Sequence, residues 1–197
     1  MRHTETMADA GDPHPPTAER AGRVRWLLLV YRIPSEPSRL RAGVWRRLKG
    51  LGAIYVQSSA AALPSSPTAE RALRTLRNEI VEMGGAAFLL ASDVLAGEPD
   101  LVALFNAARN DEYEEIVDRC EDFLRQLRKE YDEEHFTYAE LEENDEDLAK
   151  LKSWLAKVQA RDVLGAGEGA KAAEAVVRCE AALETFSAAV YEAEGST

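Results

Sequence analysis

A sequence of 197 residues suits one large domain or two small ones, and its 46% hydrophobic content suffices for a buried core. The formal net charge of −11 excludes a basic coat over the whole surface, so any nucleic-acid contact must be local. The longest apolar run is far shorter than the roughly 18 residues that a membrane span requires. With no apolar signal core at the N-terminus either, the sequence predicts a cytoplasmic protein without membrane contact.

The N-terminal segment 1–22 has almost no apolar side chains to bury. It contains Pro13, Pro15 and Pro16 among small and charged residues. Such a composition predicts a disordered tail.

The segment 23–96 alternates between short apolar runs and amphipathic helices. The pattern predicts, in order, a strand at Val24–Ile33, a helix from an N-cap at Ser38 to about Leu51, strands at Ala53–Gln57 and Ala60–Leu63, a helix from an N-cap at Ser66 to about Met83, and a strand at Ala86–Ala91. This β-α-β-β-α-β order is the ferredoxin-like plan, in which two helices cover one face of an antiparallel sheet. The other face must be covered by a partner subunit or by extra helices.

The segment 97–197 carries three helical patterns. Apolar positions from Tyr113 to Tyr131 recur every three or four residues, and a capping box at Thr137–Glu140 opens a second helix. An alanine-rich third helix runs from about Ala170 to Glu192. We therefore predict an α+β protein: a ferredoxin-like domain over 23–96, then a three-helix antiparallel unit over 97–197.

The charges of the chain are segregated. Residues 23–49 hold eight basic residues and one acid, whereas residues 111–147 hold seventeen acids and four basic residues. The first predicted helix carries five of the cations, which are Arg39, Arg41, Arg46, Arg47 and Lys49. On an exposed face they could bind DNA phosphates or an oxyanion. Alternatively, they lie over the sheet or pair with the acidic helices of the same chain.

Structural roles explain the other groups of polar residues better than catalysis or metal binding does. The acids lie opposite the apolar stripe, which is typical of a solvated face, and Asp132-x-x-His135 is a poor match to a helical metal site. Cys120 and Cys179 occupy apolar positions and are interpreted as buried free thiols, with a redox pair as the alternative. No nucleophile motif or phosphate-binding glycine loop occurs, so we predict no enzyme activity, no metal and no cofactor.

Three separated segments carry a family resemblance. Trp26–Ala53, Glu134–Leu148 and Trp154–Asp162 resemble, in this order, the N-terminal domain of the ChrB chromate-resistance proteins. The resemblance implies a bacterial protein tied to chromate resistance, in a family whose full-length members act as chromate-responsive transcriptional regulators. Those members usually continue into a second domain that this sequence lacks. If that domain is the part that senses chromate, we expect a unit that binds DNA or a partner without sensing chromate itself.

The front part of the chain also resembles the ferredoxin-like domain of the repressor PaaX, which is similar to small CRISPR spacer-acquisition nucleases. The likeness implies a homodimer and contact with nucleic acid, although Val30-Tyr31-Arg32 lacks the strand-end acid of those nucleases. The resulting hypothesis is a regulatory domain that binds DNA backbone, with chromate or another oxyanion as effector. The alternative is a protein–protein module without DNA binding.

Overall fold

The structure is a computed structural model that describes residues 23–195, so the predicted tail over 1–22 lies outside the described residues. Its elements are β1 (Trp26–Arg32), α1 (Ser38–Gly50), β2 (Ile54–Gln57), β3 (Ala60–Pro64), α2 (Pro67–Glu82), β4 (Ala86–Ser92), α3 (Glu98–Asp132), α4 (Tyr138–Arg161) and α5 (Gly169–Gly195). This order confirms the predicted α+β class and the helical segments that follow the sheet.

The four strands form one antiparallel sheet in the order β2-β3-β1-β4. The predicted ferredoxin-like arrangement is therefore confirmed. Leu27 and Leu29 of the central strand β1 are buried in a hydrophobic cluster with Val44 of α1 and Leu73 of α2. The two helices thus bury the face of the sheet on which these leucines lie.

Helix α3 covers part of the opposite face. Phe105 of α3 meets Trp26 edge to face, with 6.0 Å between the ring centroids. Further along this face, Val30 pairs with Phe88 of β4, and Phe88 stays 66% exposed. The extra helices therefore cover one end of the sheet face and leave the other end open.

A single continuous helix contributes to both hydrophobic clusters. Phe105 of α3 belongs to the sheet cluster, whereas Tyr113 and the apolar residues after it pack with α4 and α5. The division into domains at 96/97 stays a prediction, since α3 belongs to both parts. No helix in the described range 23–195 is long and apolar enough to cross a membrane.

Two details of the helix ends differ from the sequence prediction, namely the cap of α1 and the exposure of Tyr131 in the last turn of α3. Ser66 and Thr137 cap α2 and α4, because their hydroxyl oxygens accept from the backbone N–H of Ala69 and Glu140. The predicted N-cap at Ser38 is wrong: the cap of α1 is residue 37, a proline, whose side chain cannot accept a hydrogen bond. Tyr131, expected to face inward, is 47% exposed because it lies in the last turn of α3.

Candidate nucleic-acid interface

Helix α1 separates its apolar and basic residues. Val44 and Leu48 are buried between α1 and the sheet, and the partly buried Leu40 and Leu51 extend the same stripe. At 100° per residue, the charged residues of the helix point in other directions than this stripe. All five predicted cations are exposed: Arg39, Arg41, Arg46, Arg47 and Lys49.

These five cations differ in their surroundings. Within the described residues 23–195, no carboxylate oxygen lies within 4.0 Å of the charged groups of Arg39, Arg41, Arg46 or Lys49. Arg47 is different, because its Nη2 lies 3.2 Å from Oε1 of Glu79 on α2. The four cations without such a partner are called the free basic face below.

Trp45 is a component of this surface that the sequence interpretation missed. Its side chain is 49% exposed, and the Lys49 ammonium lies 5.5 Å from the centroid of its ring. Arg41 and Lys49 are each one turn away, so the aromatic ring is flanked by two cations. The sequence could have indicated this position, because Trp45 lies about 100° from Val44 on the helix and therefore outside the apolar stripe.

Two arginines from the helical part hold the C-terminal end of α1. Arg109 of α3 donates through Nη1 to the carbonyl oxygen of Gly52 at 3.0 Å, and Arg161 of α4 donates through Nη1 to that of Gly50 at 3.1 Å. Gly50 is the last residue of α1 and Gly52 lies two residues beyond it, so both carbonyls are at the C-terminal end of the helix, where a cation is favourable. Gly52 has φ of 78°, and a Cβ there would collide with Nη1 of Arg109.

Glu112 bridges the two arginines. One of its oxygens, Oε2, lies 3.2 Å from Nε of Arg109 and 3.1 Å from Nη2 of Arg161. The Arg109 side chain is only 3% exposed, so burial lowers the pKa of its guanidinium, which the carboxylate of Glu112 opposes. This trio ties the basic helix to α3 and α4 at one fixed place.

A cleft of about 290 Å³ opens beside this trio, between α1, α3 and α4. Lys49 and Arg46 line it on one side, and Glu112 and Glu115 line it on the other. Neither cation comes within 4.0 Å of a carboxylate in the described chain, so the basic residues lie near their own acids without pairing. Among the five, Arg47 alone is paired within the described residues, and its partner Glu79 lies on α2, so the predicted pairing with the acidic helices is not observed for any of the five.

The acidic stretch forms an outer surface of the helical part, as predicted. All but three of the seventeen carboxylates between residues 111 and 147 are exposed. Glu130 is an exception: it is 6% exposed and accepts from the side-chain amides of Gln126 and Asn144. The sequence did not indicate that Glu130 lies on the inner side of α3, because it is one of many acidic residues in that stretch.

The remaining candidate residues are one histidine and two cysteines, and their surroundings are typical of structural side chains. His135 is exposed and lies 3.6 Å from Glu133, and no group of three or more potential metal ligands occurs within residues 23–195. Cys120 and Cys179 are buried and reduced, and the thiol of Cys179 donates to the carbonyl of Cys120 at 3.5 Å. Burial raises the pKa of Cys179 to about 12, which suppresses the reactive thiolate.

Comparison with known proteins extends this picture. The family described as "Protein ChrB, N-terminal" matches residues 41–197, which include ten of the thirteen residues of α1 and everything after it. The chain belongs to this family. A curated relative, Protein ChrB of Cupriavidus metallidurans, is 34% identical over 92 residues. That match covers 46% of this chain and 28% of the relative. The matched part of the chain therefore corresponds to less than a third of the relative's length.

Proposed function

We propose that this ChrB-family chain is a non-enzymatic regulatory protein associated with chromate resistance, and that it binds the DNA backbone through α1. Arg39, Arg46 and Lys49 would contact phosphates, with help from Arg41, whereas Arg47, the fifth cation predicted from the sequence, is held by Glu79. Family membership supports the association with chromate resistance. The contact with DNA is supported by the charges of the described surface.

The observation that carries the proposal is the free basic face itself. Arg39 and Arg46 are exposed on the side of α1 opposite the buried stripe, and neither has a carboxylate partner in the described chain. The two residues are separated by about 10 Å along the helix, which is close to the rise of three base pairs. Cations without a partner can bind phosphates without first breaking an ion pair.

The acidic part supports a defined orientation on DNA. Residues 23–96 carry a formal charge of +6, whereas residues 97–197 carry −15. Phosphates attract the first part and repel the second, so the part that carries α1 is expected to face a duplex.

The test is binding to duplex DNA that carries the chromate-operon promoter, measured by fluorescence anisotropy at two salt concentrations. If the four free cations each neutralise one phosphate, the salt slope is about −3.6, and the affinity falls about 150-fold from about 50 to about 200 mM salt. Arg39→Ala or Arg46→Ala removes one contact, which leaves a slope of about −2.7 and a loss of about 40-fold.

Arg47→Ala is the matched control on the same helix. Because Arg47 is already paired with Glu79, its removal should change the salt slope much less than removal of Arg46 does. The absence of binding at low salt, or equal slopes for the wild-type protein and the Arg39→Ala variant, would overturn the proposal.

A second candidate function is a protein–protein module without DNA binding. The same free basic face favours it, because exposed carboxylates cover much of the helical part and could serve as its partner in another molecule. The prediction of chromate or another oxyanion as effector stays a prediction. The cleft beside Arg161 is the place to seek it, by thermal stabilisation with chromate or sulfate.

A further inference from the structure

A second surface, at the far end of the helical part, has the opposite charge to α1. A groove of about 670 Å³ runs between the first half of α4 and the second half of α5. Its apolar residues are Leu141, Leu148 and Leu183. Its acidic residues are Glu142, Asp145, Glu180 and Glu184.

Most of the acids in this groove have no cation beside them. Glu180 is paired with Lys152, whereas no lysine or arginine within residues 23–195 lies within 4.0 Å of Glu142, Asp145 or Glu184. A groove with an apolar floor and acidic walls fits a helix that presents cations around an apolar anchor. Helix α1 has these features, with its exposed Trp45 one turn from both Arg41 and Lys49.

The basic helix of the same molecule does not reach this groove. The C-terminal end of α1 is fixed to Arg161, the last residue of α4, whereas Asp145 lies sixteen residues earlier in α4. That separation is about 24 Å along the helix, and no residue of α1 lines the groove. An occupant with the chemistry of α1 must therefore come from a second copy.

We propose that, without DNA, the free basic face of one copy docks in the α4/α5 groove of a second copy. Because α1 and the groove lie at opposite ends of α4, an antiparallel pair lets each copy fill the groove of the other, which gives a closed dimer. The regulatory consequence rests on the proposed function: the docked α1 is covered, so DNA and self-association compete for the same cations.

The balance of charges gives this association a distinctive salt dependence. Each copy carries −11, so two copies repel at long range, but at about 0.1 M salt the screening length is only about 10 Å. Contacts between Arg46 and the groove carboxylates persist at that ionic strength, and at about 1 M salt they are screened as well. The dimer should therefore form at moderate salt and dissociate at high salt.

The experiment is sedimentation velocity on the whole chain without DNA, at about 0.1 and about 1 M salt. The groove variant Glu142→Lys/Glu184→Lys should weaken the dimer by about 100-fold or more, because it sets like charges against α1. The matched control is Glu114→Lys/Glu121→Lys, which makes the same charge change at exposed positions of α3 outside the groove and should leave the dimer intact.

A charge swap then identifies the two surfaces as partners. The α1 variant Arg39→Glu/Arg46→Glu should also be monomeric, and mixing it with the groove variant should restore a dimer, because both contacts are again attractive. A wild-type monomer under all conditions, a groove variant that dimerises like the control, or two variants that fail to pair would each overturn the inference.

The DNA measurement separates this inference from the proposed function. The groove variant keeps its free basic face, so it should bind promoter DNA at least as tightly as the wild-type protein. If the wild-type chain forms the salt-sensitive dimer but binds no DNA, the docking stands and the proposed function fails. If it binds DNA but is always monomeric, the proposed function stands and the docking fails.

Discussion

The trio of Arg109, Glu112 and Arg161 permits a quantitative prediction about stability. In Glu112→Gln, a neutral amide of nearly the same shape replaces the carboxylate that faces both guanidinium groups. The Arg109 side chain is 3% exposed and that of Arg161 is 19% exposed, so little water can replace the lost charge. Each arginine keeps its bond to a backbone carbonyl near the end of α1.

The expected loss in the free energy of unfolding is about 3 kcal/mol. Removing one partner of a buried ion pair costs about 3–5 kcal/mol, and the partial exposure of Arg161 favours the lower end of this range. For a chain of this length, 1 kcal/mol corresponds to about 2–4 °C, so the Tm should fall by about 6–12 °C. Urea and thermal unfolding followed by circular dichroism measure both quantities.

Glu115→Gln is the control for this substitution. Glu115 lines the same cleft but is exposed and has no cation within 4.0 Å in the described chain, so its removal should change stability by no more than about 0.5 kcal/mol. If Glu112→Gln proves as stable as Glu115→Gln, the carboxylate does not balance the two buried guanidinium groups, and the reasoning from burial is wrong.

Two further predictions concern titratable groups in the helical part. The carboxylate of Glu130 raises the pKa of Glu140, both by its charge and by a hydrogen bond, so ionised Glu140 is disfavoured in the folded state. Glu140→Gln should therefore raise the Tm at pH 7, and this gain should shrink as the pH falls below the ordinary pKa of a glutamate, because the carboxyl is then protonated in the folded and the unfolded chain alike. An equal gain at neutral and acidic pH would contradict this cause. Burial raises the pKa of both Cys120 and Cys179, so a thiol reagent at about pH 8 should modify neither until denaturant is added. Rapid labelling of the folded chain would show that a thiol is accessible.

Local patterns predicted most of the elements, and the reasons are physical. β1 is apolar on both faces because α1 and α2 cover one face and α3 covers part of the other, and Ser66 followed by proline marks the start of α2. These signals lie within a few residues of one another, so a single sequence displays them. The basic helix was found in the same way, from cations that are placed around one apolar stripe.

Long-range pairings could not be predicted in this way. Arg47 meets Glu79 across 32 positions, and Arg109 meets the carbonyl of Gly52 across 57. In the sequence Arg109 precedes a run of acids and resembles any solvated cation, yet it is the most buried charged residue in the described range. The groove between α4 and α5 depends on which faces of the two helices meet, and neither helix alone contains that information.

The continuity of α3 has a mechanical consequence. From residue 100 to residue 132 it contains neither glycine nor proline, and over its full 35 residues it is a rod of about 50 Å without a hinge. The +6 of the sheet part and the −15 of the helical part are therefore held at a constant separation, as the two poles of a permanent dipole. In the field of any polyelectrolyte such a dipole experiences a torque, so the molecule rotates into alignment before its first contact.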